Sequence, residues 1–324
     1  MIDRKLSQCV LTGLLLAGLV FDAFGEAPIN DMSLGERPIG KLASPEGSRD
    51  NDGVYFLVEA AGNTALVAEQ VAKDHGLTLN LGSSRLAALE EIAYTARIID
   101  ARKPHTASIA FTRELMAKLA KDDRVVASGP IRHFLVAGAA THYAAKPKGL
   151  GDPYSPLQHS HETTRVTESH SIASGESVKV AIIDTGVDAA HRDLKNQIHQ
   201  HLNFVGSDQT TPSVEFHATA VAGIIGAQAD NGFGVVGVAP KSSLYVLRAC
   251  VETNPGSSRG RCSSLALARA LDWAIVNEMQ VINMSIHGRD DELVTRLIRK
   301  ATNEGIVVVA ATDLIHGQLA FPAK

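Results

Sequence analysis

Cysteine is scarce: Cys9, Cys250 and Cys262 are the only three in 324 residues. The spacing of the last two does not suit a tight zinc knuckle, and no neighbouring histidine completes one. No long run of Lys or Arg occurs and the net charge is −4, so the electrostatic footprint of a DNA, RNA or anionic-membrane binder is missing. Long apolar runs are missing too. The stretch Val10 to Phe21 is short of the about 20 residues a bilayer-spanning helix needs. Residues 53–135 contain no clustered acids, no clustered cysteines and no glycine-rich phosphate loop, which points that half of the chain toward binding or folding, not catalysis.

What is present divides the chain, which is long enough for one sizeable domain and a smaller one. Arg4 and Lys5, the apolar stretch, and then Ala23-Phe24-Gly25 read as a secretory signal peptide over 1–25, which predicts a secreted or periplasmic product with no membrane segment after its removal. Cys9 leaves with it. Cys250 and Cys262 then either form a disulfide across the polar loop VETNPGSSRGR or remain two buried thiols. A linker is expected over 26–52, followed by alternating strand and helix patterns over 53–135: VYFLVEAA as a strand, TALVAEQVAKDHG as a helix, SIAF as a strand, TRELMAKLAKDD as a helix and RVVASGPIRHF as a closing strand. The intervening LGSSRLAALEEIAYTARIIDARKPHTA holds a further helix or strand. The pattern predicts a small α+β domain of ferredoxin-like type, then a linker over 136–152.

From 153 to 324 the character changes. VKVAIID, SLYVLRA, VINMSI and GIVVVAA are short apolar runs of the kind buried on both faces of a parallel sheet, and helical patterns alternate with them. An α/β domain with a doubly wound parallel sheet follows, whose functional groups should gather at the carboxyl ends of its strands. Asp184 and Ser285 fall there. An Asp at a strand end is not specific, since nucleotide-binding and phosphoacceptor folds place one there as well.

The combination is more specific. Asp184-Thr185-Gly186-Val187-Asp188, then His191-Arg192-Asp193-Leu194, then His217-Ala-Thr-Ala-Val-Ala-Gly223, then GVVGVAP at 234–240 and VINMS at 281–285 resemble, in order and spacing, the subtilisin-like serine proteases, or subtilases. The likeness covers roughly 150–324, and the preceding domain is similar to that family's propeptide. The resemblance implies a serine-type endopeptidase precursor that requires no cofactor. In it Asp184 holds the imidazole of His217 and stabilises its protonated form, His217 takes a proton from a serine hydroxyl, and a peptide carbonyl is attacked. The substrate is a protein or peptide, and the propeptide is an intramolecular partner that assists folding and occupies the cleft. Ser285, Ile286, His287 and Gly288 match the stretch that pairs with an extended substrate, with His287 where a small residue is usual. Ala218 stands where the family usually has Gly, and the small residues Ala222-Gly223 imply a helix packed closely on the sheet. Where the family presents an oxyanion-hole Asn, Asp313 stands, and an ionised carboxylate only accepts hydrogen bonds. The family's nucleophile segment, G-T-S-x-x-x-P, has no counterpart here, so the chain as given is expected to be inactive: a fragment, a frameshift product or a non-catalytic pseudoprotease that binds peptide or protease. Val307, Val308 and Val309 would then form an exposed sheet edge. The resemblance also implies a structural Ca2+ held by Asp193, Asn231 and Gln158, or else these residues serve only as caps and turns. The histidines of HSHETTRVTESH read as part of a solvated linker.

Overall fold

A computed structural model describes residues 53–98, 109–136, 152–205, 213–312, 314–315 and 318–323. They fall into two compact units: one spans 53–86, 90–98 and 109–132, the other 87–89 and what is described from His133 onward.

The first unit runs β1 (Gly53–Glu59), α1 (Thr64–Asp74), β2 (Leu77–Leu86), β3 (Glu91–Ile98), α2 (Ile109–Leu119), β4 (Ala127–Pro130). Its four antiparallel strands lie in the order β2-β3-β1-β4. Alternate residues of β1, Val54, Phe56 and Val58, form one core with Val71 and Ala72 of α1 and Leu115 and Leu119 of α2. Helix α1 starts where Asn63 Oδ1 accepts the Leu66 N–H at 3.3 Å, and it stops ahead of Gly76, whose φ of 66° is left-handed.

Two sequence expectations change in this unit. SIAF does not form a strand; the helix α2 begins at Ile109. Both sides of β1 are already taken, by β3 along its whole length and by β4, and β3 comes from the segment that periodicity left ambiguous. So short an apolar run does not by itself separate strand from helix. RVVASGPIRHF is not one strand either. Pro130 has no N–H to continue a ladder, and after it the chain leaves β4 to form β5 (His133–Val136) in a sheet of the second unit.

The second unit continues with α3 (His159–Thr164), α4 (Val166–Ser169), β6 (Lys179–Asp184), β7 (Ile198–Asn203), α5 (Phe216–Gly226), β8 (Ser243–Arg248), β9 (Cys250–Glu252), β10 (Gly260–Ser263), α6 (Ser264–Val276), β11 (Val281–Met284), β12 (Ile286–His287), α7 (Glu292–Asn303) and β13 (Val307–Ala310). Five parallel strands in the order β13-β11-β6-β8-β7 make the central sheet. β6 is buried on both faces: Val180 and Ile182 join the core under α5, while Ala181 and Ile183 are equally inaccessible. β13 is an edge of this sheet, with Val309 buried and Val307 and Val308 partly so.

Helix α5 lies close on β8, and the residue that requires this is not the one expected. A Cβ on Gly223 would meet nothing within 4 Å, whereas one on Gly226 would sit 3.0 Å from a Leu244 methyl. The buried Ala218 and Ala222 complete the small face. HSHETTRVTESH is also not a linker. It folds as α3 and α4, joined at Arg165 with φ 59°, and buries His161 and Val166, because those two supply an apolar face that the surrounding polar residues mask in the sequence. No helix among the described residues is long and apolar enough to cross a membrane.

Candidate active site

β6 delivers Asp184 to the carboxyl edge of the parallel sheet, and α5 begins so that His217 lies in its first turn. Thr185, next in the chain, accepts the Ala218 N–H on its hydroxyl at 3.0 Å, which ties the start of α5 to the end of β6. His217 Nδ1 lies 2.8 Å from Asp184 Oδ1, and the Thr185 N–H donates to the same oxygen at 2.6 Å. An ionised carboxylate only accepts, so Nδ1 carries the proton and Nε2 is the basic atom. Asp184 is wholly inaccessible, His217 nearly so, and Asp184 Oδ2 has no hydrogen-bond partner.

The same unit holds a second sheet, ordered β12-β5-β10-β9. Ile286 and His287 pair antiparallel with Val136 and Leu135; on the other side Arg261, Cys262 and Ser263 pair with Leu135, Phe134 and His133. β5 is thus an extended segment held on both sides by main-chain bonds. Its alternation is plain: Phe134 and Val136 are buried, Leu135 is exposed. Gly288 makes room for Phe134, because a Cβ there would fall 2.4 Å from its Cδ1, and Gly288 N–H donates to Phe321 O at 2.8 Å. Ser285 is buried and its hydroxyl accepts from Asn283 Nδ2 at 3.0 Å. Cys250 and Cys262, opposite each other on β9 and β10, are joined by a disulfide. Asp313 lies outside the described residues.

Gln158, Asp193 and Asn231 meet around the 230–236 loop. Asp193 accepts from Asn231 Nδ2 at 2.9 Å and from Val235 N–H at 2.8 Å; Gln158 accepts from Val236 N–H and donates to Val236 O, both at 2.8 Å. Gly234, at φ 61°, allows the approach, since a Cβ there would overlap Asp193 Oδ2. One carboxylate, two amide oxygens and a nearby carbonyl are a donor set that fits a hard cation. In this structure Asp193 is bonded by the Asn231 amide, while Gln158 is bonded to the Val236 backbone and Asn231 Oδ1 accepts the Phe233 N–H. Asp152 braces the same loop, accepting the N–H groups of Asp230, Asn231 and Gly232. Burial, with His170 adding to it, lowers the pKa of the nearby His161 to about 4.

Sequence reasoning missed Glu215 at the start of α5 and its partners Arg248 at the end of β8 and Glu252 on β9. Glu215 accepts from Arg248 Nε at 2.7 Å and Nη2 at 3.0 Å, from Gly186 N–H and from Glu252 N–H. Burial opposes its ionisation, but Arg248 and the two backbone donors outweigh it and hold the carboxyl below its ordinary value. A Glu two residues before the motif histidine was the available signal.

Residues 175–313 match the family model described as the subtilase family. The chain is 36% identical over 168 residues to subtilisin of Bacillus pumilus, covering 51% of this chain and 54% of that protein. It is 34% identical over 162 residues to thermitase of Thermoactinomyces vulgaris, covering 49% and 56%. It spans about half the length of these curated relatives. Among solved structures, fervidolysin from Fervidobacterium pennivorans, a keratinolytic enzyme related to subtilisin, superposes with TM-score 0.54 at 20% identity over 82% of this chain and 40% of its own. The epidermin leader peptide processing serine protease of Staphylococcus aureus does so with TM-score 0.52 at 18% identity over 80% and 60%. At those identities the structures carry the fold, and the likeness to the subtilase family rests on the match over residues 175–313 and on the sequence relatives.

Proposed function

We propose that this chain is the precursor of a secreted or periplasmic subtilisin-like serine endopeptidase. The observation that carries the reading is the hydrogen bond of 2.8 Å between buried His217 Nδ1 and Asp184 Oδ1 at the carboxyl edge of a parallel sheet. With its proton fixed on Nδ1, His217 presents Nε2 to take the hydroxyl proton of a serine as that oxygen attacks a peptide carbonyl, and Asp184 stabilises the imidazolium that forms. The serine is not assigned to any residue here. The β-α-β-β-α-β unit acts as a ferredoxin-like propeptide, and Ser285, Ile286, His287 and Gly288 form one wall for an extended peptide. Asp193, Asn231 and Gln158 are the residues that would hold a structural Ca2+, which would brace the 230–236 loop.

Labelling of the exported protein with a fluorophosphonate tests this. Labelling lost in both Asp184→Asn and His217→Ala supports the hydrolytic reading; labelling of equal strength in those variants refutes it. The enclosure of β5 between β10 and β12 favours a second reading, a non-catalytic pseudoprotease that binds peptide. That reading gains if the unmodified chain never labels yet binds extended peptides.

A further inference from the structure

We propose that Glu215 and Arg248 form a positioning clamp that fixes the His217 ring against Asp184. This rests on the reading of Asp184 and His217 as the hydrolytic pair. Glu215 lies two residues before His217 and Gly186 two residues after Asp184. The Glu215 carboxylate joins the two segments directly, since its Oε2 accepts the Gly186 N–H at 2.5 Å. The same oxygen accepts Arg248 Nε at 2.7 Å, and Oε1 accepts Arg248 Nη2 at 3.0 Å and the Glu252 N–H at 3.1 Å. Four donors therefore fill this carboxylate.

Its partners come from rigid places. Arg248 ends β8 directly opposite Asp184 in the sheet register, and its Nη1 donates to Asn203 Oδ1 on β7 at 3.1 Å. Glu252 lies on β9, and its own carboxylate accepts the N–H of Phe216, the residue immediately before His217. The approach needs a glycine: a Cβ on Gly186 would sit 2.1 Å from Ser213 O and 2.9 Å from Glu215 Oε2. Glu215 is the residue that starts α5, yet its side chain makes no capping bond to the helix. It faces the strand ends instead. A two-pronged guanidinium–carboxylate pair, with its side chains only 16% and 10% exposed, fixes direction as well as distance, so it sets where α5 begins and hence where the imidazole lies.

The Nδ1–H proton of His217, identified in the NMR spectrum of the full chain by its loss in His217→Ala, reports on the clamp without requiring turnover. Glu215→Gln and Arg248→Met should each raise its solvent exchange at least tenfold or abolish the resonance. Arg248→Lys, which keeps the charge but not the fork, should resemble Arg248→Met. The double variant Glu215→Gln/Arg248→Met leaves no unpaired buried charge; it should fold and still lose the resonance. An unchanged resonance in Glu215→Gln overturns the clamp even if melting falls, as does normal exchange in Arg248→Lys with loss in Arg248→Met, which would make charge alone sufficient. Absence of a slowly exchanging Nδ1–H in the unmodified chain overturns it as well. Failure of fluorophosphonate labelling bears on the hydrolytic reading alone and leaves this resonance to be judged separately.

Discussion

Removing the Cys250–Cys262 bridge should cost this protein a large share of its stability. The two half-cystines face each other across β9 and β10, are both buried, and are 12 residues apart in sequence. Chain-entropy arithmetic for a loop of this length gives about 3 kcal/mol lost from the folded state's advantage at 25 °C. Replacing both residues with Ala also leaves small voids, which adds about 1 kcal/mol. The native loop is already ordered by its own bonds, Thr253 N–H to Arg259 O at 3.0 Å and Gly256 N–H to Glu252 Oε2 at 2.8 Å, so reduction should act mainly by freeing the unfolded chain, not by unravelling the hairpin. The assay is guanidinium unfolding of the full chain with and without dithiothreitol, beside Cys250→Ala/Cys262→Ala. The midpoint should fall on reduction and slightly further in the double variant. Reduction, verified by thiol counting, that leaves the midpoint unmoved would refute the entropy argument; a fall in the variant alone would assign the whole effect to packing.

Three other outcomes follow from the structure. Asp122 accepts from Arg124 Nε at 2.8 Å and from His75 Nε2 at 2.8 Å; the Arg124 hydrogen bonds, against an opposing effect of burial, hold its carboxyl well below the ordinary value. A depressed carboxyl stabilises the fold fully above its unfolded value of about 3.9 and loses that contribution as pH falls below it, so the stability gap between the unmodified chain and Asp122→Asn, read from urea melts, should be open at pH 7 and close as pH drops below about 4. Gly288→Ala would put its Cβ against the Phe134 ring at 2.4 Å; overpacking of about 1–3 kcal/mol corresponds to roughly 5- to 150-fold faster amide exchange in β5, and unchanged protection of residues 133–136 would count against the enclosure of that strand. Calcium in excess should raise the melting temperature, by linkage worth about 2.7 kcal/mol at a hundred times the dissociation constant, with the rise abolished by EGTA and in Asp193→Ala; no rise would leave Gln158, Asp193 and Asn231 as a hydrogen-bonded brace.

The parallel sheet was legible because β6, β8, β11 and β13 are each a short apolar run, the pattern that burial on both faces imposes. The Asp184–His217 contact was legible for a related reason: a strand end and a helix start are both marked locally, and each residue sits at its mark. What failed were segments where the sequence carries two periodicities or none. SIAF has the composition of a strand, yet Ile109 begins a helix whose Leu115 and Leu119 fill the core against β1. HSHETTRVTESH looks solvated because His161 and Val166, which bury it, are separated by residues that do not.

The β12-β5-β10 pairing and the Glu215–Arg248 pair were illegible for a deeper reason than ambiguous pattern. Main-chain bonds between strands are open to every residue type, proline lacking only the donor, so HFLV carries no mark of the partners it takes. The register that sets Arg248 opposite Asp184 arises only when β6 and β8 are paired, and only that register brings a guanidinium within reach of a carboxylate 33 residues earlier in the chain. Glycine left a clearer trace. Gly186, Gly234 and Gly288 each stand where a Cβ would strike a functional or bracing group, and all three lie within or beside the motifs that marked the family. Those motifs therefore record two constraints at once, the chemistry of the polar residues and the close approach that lets Glu215, Asp193 and Phe134 reach their places.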